Sequence, residues 1–266
     1  MKKKYLALMC FVSLTMMTAC SGDKKAGENG EEQNAQTEQV AEDNDTQAAD
    51  DEAAATDADP AEAKLLDLNA MYANGDFKPG ATVIFADDFS ADSAGEFPAK
   101  WNLTNGSAEV KELGGRKVLV LGNSDAEITP KVNGDSKAYL PDAYTLEYEY
   151  YCNGDAHYAF YTMLFREAED AYDSEVRLDT QNNMDWNLTK KDDERLGGNY
   201  GELDKVQNRN AWNHFAMSYD KGTVKLFING KRVANVPDIK PASYFVLIGG
   251  SAENGRHLIA NVRICK

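Results

Sequence analysis

The sequence predicts an all-β domain built from two antiparallel sheets packed face to face, and three observations predict it. The first is the stretch Trp212–Pro237, WNHFAMSYDKGTVKLFINGKRVANVP. Phe215, Met217 and Tyr219 alternate there with Trp212, His214 and Ala216, the period-two pattern of a half-buried strand. Asp220-Lys221-Gly222 turns the chain, and Val224, Leu226 and Ile228 alternate with Lys225 and Phe227. Asn229-Gly230 then supplies the two positive-φ residues of a type I′ hairpin, and Val233 and Val236 carry a third strand to Pro237. The second observation is repetition: about a dozen short runs of this kind follow one another, separated by glycine-rich turns. The third is that no helical run separates them, so the domain is neither α/β nor helical.

The chain has 266 residues and a formal net charge of −16. The charge is concentrated: 14 acidic residues and two lysines lie between Ser21 and Ala63. From residue 64 onward the 30 acidic and 23 basic side chains leave a mild −7. No basic stripe exists, so nucleic acid is excluded as a partner on electrostatic grounds.

Residues 1–19 read as a signal peptide. Lys2-Lys3-Lys4 precedes the apolar run Tyr5–Ala19, which is shorter than the roughly twenty residues needed to span a bilayer. Residues 20–63 read as a lipidated cysteine followed by a disordered acidic tether. Met17-Thr18-Ala19-Cys20-Ser21 resembles the lipobox of bacterial lipoproteins, which implies acylation of Cys20 and anchoring at the outer membrane. Several acyl chains, each methylene worth ~0.8 kcal/mol, anchor stably where one does not. The tether has no aromatic residue and only Val40 larger than alanine among its aliphatics, so it cannot offset its chain entropy. Residues 64–80 form a short lead-in, and Ala61–Tyr72 predicts a short helix capped near Asp59.

The sandwich is expected over 81–266. Its strands are Thr82–Phe89, Glu109–Leu113 and Arg116–Leu121 around Gly114-Gly115, Tyr144–Cys152, His157–Arg166, Glu175–Asp179 and Met184–Lys190, then the meander, Tyr244–Ile248 and His257–Cys265. Cys152 and Cys265 lack metal-site spacing. They can pair as a disulfide in an oxidising compartment, or each can pack as a small hydrophobe at its strand end.

Trp212, His214, Tyr219, Gly222, Leu226 and Gly230 resemble the pattern of laminin-G-like and concanavalin A-like lectin domains. Here Asn213 separates the Trp and His that are commonly adjacent. Asp76-Phe77, Pro79-Gly80, Phe85, Asp87-Asp88-Phe89-Ser90, Gly95, Phe97-Pro98 and Trp101 resemble a narrower group. These are envelope lipoproteins, common in Bacteroidetes, carrying such a domain ahead of an OmpA-like domain. That second domain is absent from this sequence, so peptidoglycan anchoring is not expected. The resemblance implies a jelly-roll sandwich and a structural Ca²⁺ between the first and last strands. Asp87 and Asp88 can supply oxygens to it. The matching aspartate of the last strand is replaced by Ala260 beside Asn261. No motif requires a cofactor.

Two sets of site residues follow. Glu147 and Glu149, two apart on one strand, project from one face and form a candidate carboxylate pair for glycoside hydrolysis. A solvated sheet face explains them equally. Aromatic rings among polar partners suit saccharide stacking. Tyr151, Tyr161 and Trp186 are the candidates, with Glu149, Arg166, Arg177 and Asn187 as polar partners, on a sheet face expected to carry Tyr151, Arg166, Arg177 and Trp186. Buried core is the rival explanation for each aromatic, and Arg166, Arg177 and Asp179 on neighbouring strands can line that face or pair within the sheet. The leading expectation is a non-catalytic glycan-binding module on a lipid tether. The alternatives are a glycoside hydrolase relative and an envelope module that binds another protein.

Overall fold

Three hairpin turns set the connectivity, each closing on two consecutive residues with positive φ: Gly114-Gly115 (58° and 79°), Lys221-Gly222 (48° and 98°) and Asn229-Gly230 (49° and 76°). These are the mirror-image turns whose twist matches that of the strands they join. They are seen in a computed structural model that describes residues 59–122, 126–132, 138–152, 160–165, 176–180, 185–199, 203–249 and 257–266. The leader, Cys20, His157 and Arg166 lie outside the described residues.

The strands are β1 (Val83–Asp87), β2 (Trp101–Asn105), β3 (Ala108–Leu113), β4 (Arg116–Leu121), β5 (Glu127–Pro130), β6 (Ala143–Cys152), β7 (Phe160–Phe165) and β8 (Val176–Thr180). They continue with β9 (Asp185–Thr189), β10 (Arg195–Asn199), β11 (Ala211–Asp220), β12 (Thr223–Ile228), β13 (Lys231–Val236), β14 (Tyr244–Ile248) and β15 (His257–Cys265). Two short helices, α1 (Leu68–Asn74) and α2 (Leu203–Val206), complete the described elements. The first sheet runs β13-β12-β11-β6-β15-β4-β3, with β1 also on β15. The second runs β10-β9-β8-β7-β14-β5-β2. Every described pairing is antiparallel, as the alternation requires.

The core lies between the sheets. Leu146, Tyr148, Phe215, Met217 and Ile259 of the first meet Ile128, Leu178, Leu188, Phe245 and Leu247 of the second. Tyr148 stacks on Phe215 with centroids 4.9 Å apart. Each such residue, fully buried, contributes about 1.5–3 kcal/mol. The inward set on β11 is therefore the expected Phe215, Met217 and Tyr219.

The outward set is not solvated. Trp212, His214 and Ala216 are also buried, at 2%, 1% and 0% exposure. The cover is the lead-in. Together with the residues just before it, this segment runs from Ala61, against Gly114 of the β3–β4 turn, to Gly75, against Gly230 of the β12–β13 turn. The amide of Asp76 donates to Gly230 O (3.1 Å), Gly80 N donates to Thr145 Oγ1 (3.0 Å), and Thr82 and Lys266 exchange two backbone bonds. The helix forms later than expected, with Asp67 accepting from Ala70 N as its cap, and buries no residue of its own. Phe77 anchors the segment against Ala216 and Phe227.

Cys265 is buried and unpaired, and burial raises its thiol above the ordinary range. It lies opposite Thr145, whereas Cys152 lies opposite Ala211 at the far end of β6. That separation is roughly 23 Å along the strand, too far for a disulfide.

A Cβ at Gly230 would stand 2.8 Å from Met71 Cγ at φ +76, whereas one at Gly115, φ +79, meets nothing within 4 Å. Gly115→Ala is expected to lose about 1 kcal/mol, the strain of a left-handed residue. Gly230→Ala is expected to lose about 2–3 kcal/mol and to open the 59–80 segment to protease. Urea unfolding and limited proteolysis of the pair measure the difference.

Candidate functional site

Alternation along β6 sends Thr145, Glu147, Glu149 and Tyr151 away from the core, onto the face the lead-in crosses. Around them are apolar neighbours: Tyr151, Trp212, Val118, Val120, Leu258 and Ala260 form one cluster, closed from above by Ala63 and Leu66. Glu147 and Glu149 each retain 2% exposure. The pair therefore does not sit on a solvated face. Burial of two carboxylates is tolerable only if each is hydrogen-bonded.

Each is. Tyr72 of α1 donates to Glu147 Oε2 (2.6 Å), and His214 Nε2 lies 2.9 Å from the same oxygen. His214 stands across from Glu149 in the ladder, so its contact with Glu147 is a diagonal one. Burial, reinforced by the hydrogen bond to Glu147, pushes the Tyr72 hydroxyl well above its ordinary pKa, so it stays a donor. Arg116 Nη1 donates to Glu149 Oε2 (2.8 Å) while its guanidinium lies 3.8 Å over the Trp212 ring. Asn261 Nδ2 donates to Glu149 Oε1. Asn261 reaches it because the register of β15 on β6 shifts between Ala260 and Arg263, leaving Asn261 at φ +50. Such a bulge re-aims a side chain, here onto a buried carboxylate. Glu147 Oε1, His214 Nδ1 and Arg116 Nη2 are buried in this layer without a hydrogen-bond partner among the described residues.

At the open end of the layer, Glu149, Arg116 and Asn261 form the wall of a cleft of about 760 Å³, with Asp88 and Lys117 beside them. The facing wall is the lead-in, Leu65 through Asn69. The cleft thus offers carboxylate acceptors, guanidinium and amide donors, and an apolar lip at Leu65, which is 49% exposed.

The other expected site residues do not share a face. Tyr151 is buried at 3% exposure, its ring edge-on to Trp212, and presents no open plane. Trp186 lies in the second sheet and packs against the core, its ring across Gly198, where a Cβ would come within 2.2 Å. Arg177 and Asn187 are cross-strand partners on the opposite face of that sheet, with Gly197 next in the ladder. Adjacent residues of one strand point opposite ways, so Trp186 and Asn187 cannot join one platform. The side chains of Tyr161 and Asp179, like the whole of Arg166, lie outside what is described.

Asp87 and Asp88 do not fit a calcium site. Asp87 is buried, accepts from Trp101 Nε1 (2.8 Å) and Phe89 N (3.2 Å), and has Lys100 Nζ at 3.2 Å. It holds Phe89 at φ +58 and locks Trp101 into the core. Asp88 is exposed and accepts from the amide and hydroxyl of Ser90, bonds that lower its pKa. Ala260 supplies no side-chain oxygen, and Asn261 is turned to Glu149. Among the described residues no group of three or more His, Cys, Asp or Glu is arranged to hold a metal.

Removing Arg116 strands the Glu149 carboxylate. With the carboxylate 2% exposed and the guanidinium 16%, Arg116→Met is expected to destabilise the fold by about 3 kcal/mol. The double variant Arg116→Met/Glu149→Leu, which removes both charges, is expected to recover most of that loss in urea unfolding.

The family model described as "Concanavalin A-like lectin/glucanases superfamily" matches residues 121–265. No curated protein matches the sequence significantly. Among solved structures, the receptor-binding domain of botulinum neurotoxin mosaic serotype C/D is 16% identical with a TM-score of 0.49, over 70% of this chain and 47% of that one. This chain therefore spans about half the length of that domain. Domain 4 of the extracellular arabinanase AbnA from Geobacillus stearothermophilus, in complex with arabinotriose, is 16% identical with a TM-score of 0.46, over 70% and 92%. The carbohydrate-binding module CBM66 from Bacillus subtilis is 16% identical with a TM-score of 0.43, over 63% and 96%. Because the family model spans more than half of the 266 residues, the chain belongs to the concanavalin A-like lectin/glucanases superfamily.

Proposed function

We propose that this chain is a non-catalytic carbohydrate-binding protein, displayed at the outer membrane on a lipid tether from Cys20, with its saccharide held in the cleft between the lead-in and the first sheet. The observation that carries the reading is the Arg116–Glu149–Asn261 group, assembled by a bulge at a left-handed asparagine on the wall of an open cleft. Backbone strain and bulges cluster where side chains must be aimed. A sugar offers hydroxyls that both donate and accept, and this wall presents both kinds of partner side by side. Membership of a superfamily of lectins and glucanases agrees with it. Catalysis by the carboxylate pair is disfavoured by access. Glu147 is sealed beneath Tyr72 and His214, and substrate reaches it only if the lead-in leaves.

A panel of immobilised neutral and acidic oligosaccharides, probed with the purified chain, tests the binding reading. Saturable binding weakened at least about tenfold, or about 1.4 kcal/mol, by Asp88→Ala and by Lys117→Ala supports it. Absence of binding to any member at millimolar sugar contradicts it. The anchor has its own test: metabolic labelling with a palmitate analogue is expected to mark the chain and to be lost in Cys20→Ala, with the variant released from the membrane fraction.

A further inference from the structure

We infer that Asn105 is a modification site, at which the chain loses the asparagine amide through a succinimide and acquires aspartyl and isoaspartyl forms. The sequence holds seven Asn-Gly pairs, and three of them, at Asn74, Asn105 and Asn229, lie among the described residues. The pair is chemically vulnerable because glycine has no side chain to obstruct attack by its own backbone nitrogen on the preceding carboxamide. Whether attack happens depends on what holds the two groups, and the three sites differ.

Asn229 is fixed. Its Nδ2 donates to Val206 O (3.2 Å) and Asn213 Oδ1 (2.8 Å), and its Oδ1 accepts from His214 N (3.0 Å). The carboxamide cannot swing toward Gly230 without breaking all three. Asn74 is held by a bond from Nδ2 to Ala70 O (2.9 Å), and the nucleophile itself is occupied, since Gly75 N donates to Met71 O (2.7 Å). Asn105 and Gly106 are both exposed. Among the described residues, neither the Asn105 carboxamide nor the Gly106 amide has a hydrogen-bond partner, and Gly106 sits at φ +70 in an open turn.

The step balances without an external reagent other than water. Gly106 N gives up its proton and bonds to Asn105 Cγ, the Cγ–Nδ2 bond breaks, and ammonia leaves, closing a five-membered imide. Water then adds to one of the two imide carbonyls and breaks its bond to nitrogen. Opening at one carbonyl leaves an ordinary aspartyl residue in place of the asparagine. Opening at the other gives an isoaspartyl link whose main chain is longer by one methylene.

The position gives the change a consequence. Asn105 ends β2 in the second sheet, and residues 106–107 are the crossover to β3 in the first. Ser107 O accepts from Gly122 N (2.7 Å) and so ties the crossover to the end of β4. A lengthened main chain so close to Ser107 disturbs that tie.

The full chain, incubated at mildly alkaline pH and then digested with trypsin under mildly acidic conditions, provides the test. The peptide Trp101–Lys111 is expected to gain the mass difference between NH₂ and OH and to split into two chromatographic forms. Peptides carrying Asn74 and Asn229 stay unmodified over the same interval. Asn105→Gln abolishes the change and Gly106→Ala slows it by at least about tenfold. The inference is overturned if Trp101–Lys111 stays unmodified, if the three sites react at equal rates, or if neither substitution alters the rate.

Discussion

The first sheet is apolar on both of its faces, and this constraint organises the rest of the molecule. One face meets the second sheet, as in any sandwich. The other carries Trp212, Tyr151, Val118, Val120, Leu258 and Phe227, which cannot be left in water. A second cover is therefore required, and the chain supplies it from its own N-terminal side. The lead-in spans from one hairpin turn to another and is pinned by glycines at both ends, where its backbone approaches too closely for any side chain. Gly75 and Gly230 meet there, each belonging to an Asn-Gly pair.

Covering that face buries charge, and the site follows from how the charge is satisfied. Glu147 faces the lead-in and is met by a donor from it, Tyr72, and one from the sheet, His214. Glu149 lies nearer the open end and is met by Arg116 and Asn261. The two acids are two residues apart in sequence and equally buried, yet only Glu149 borders the cleft. The first fastens the cover; the second forms the wall of the cleft the cover leaves. A buried pair is weak evidence for added stability, and its value here is positional: it fixes Arg116 over Trp212 and holds Asn261 in a conformation its backbone would otherwise avoid.

Much of the frame was legible in the sequence because turns and alternation are local. Arg116–Leu121, Tyr244–Ile248 and His257–Cys265 have the expected limits, and the Asn229-Gly230 turn is of the expected type. Three strands were not legible. β2 (WNLTN) and β5 (EITP) are short and polar or proline-ended, and β10 (RLGGN) holds two glycines. Gly198 is there because the Trp186 ring lies across it, a cross-strand fact that no local pattern carries. The site was less legible for the same reason. Glu147 and Glu149 stood out, but their partners come from residues 72, 116, 214 and 261, and only the register joins them. Tyr151 and Trp186 stood out as aromatics among polar neighbours, yet both rings are spent on packing. The parity of Trp186 and Asn187 was available in the sequence and rules out a shared face; the cover over Tyr151 was not.

The lead-in belongs to the folded domain and forms one wall of its cleft. Native-state hydrogen exchange tests it most directly, read at the amides of Gly75, Asp76, Gly80 and Thr82, which donate to Met71, Gly230, Thr145 and Lys266. Asp76, Gly80 and Thr82 are expected to exchange slowly, protected to within a few kcal/mol of the β6 and β11 amides. Exchange at the rate of an unstructured peptide across residues 75–82, with β6 and β11 still protected, would contradict it.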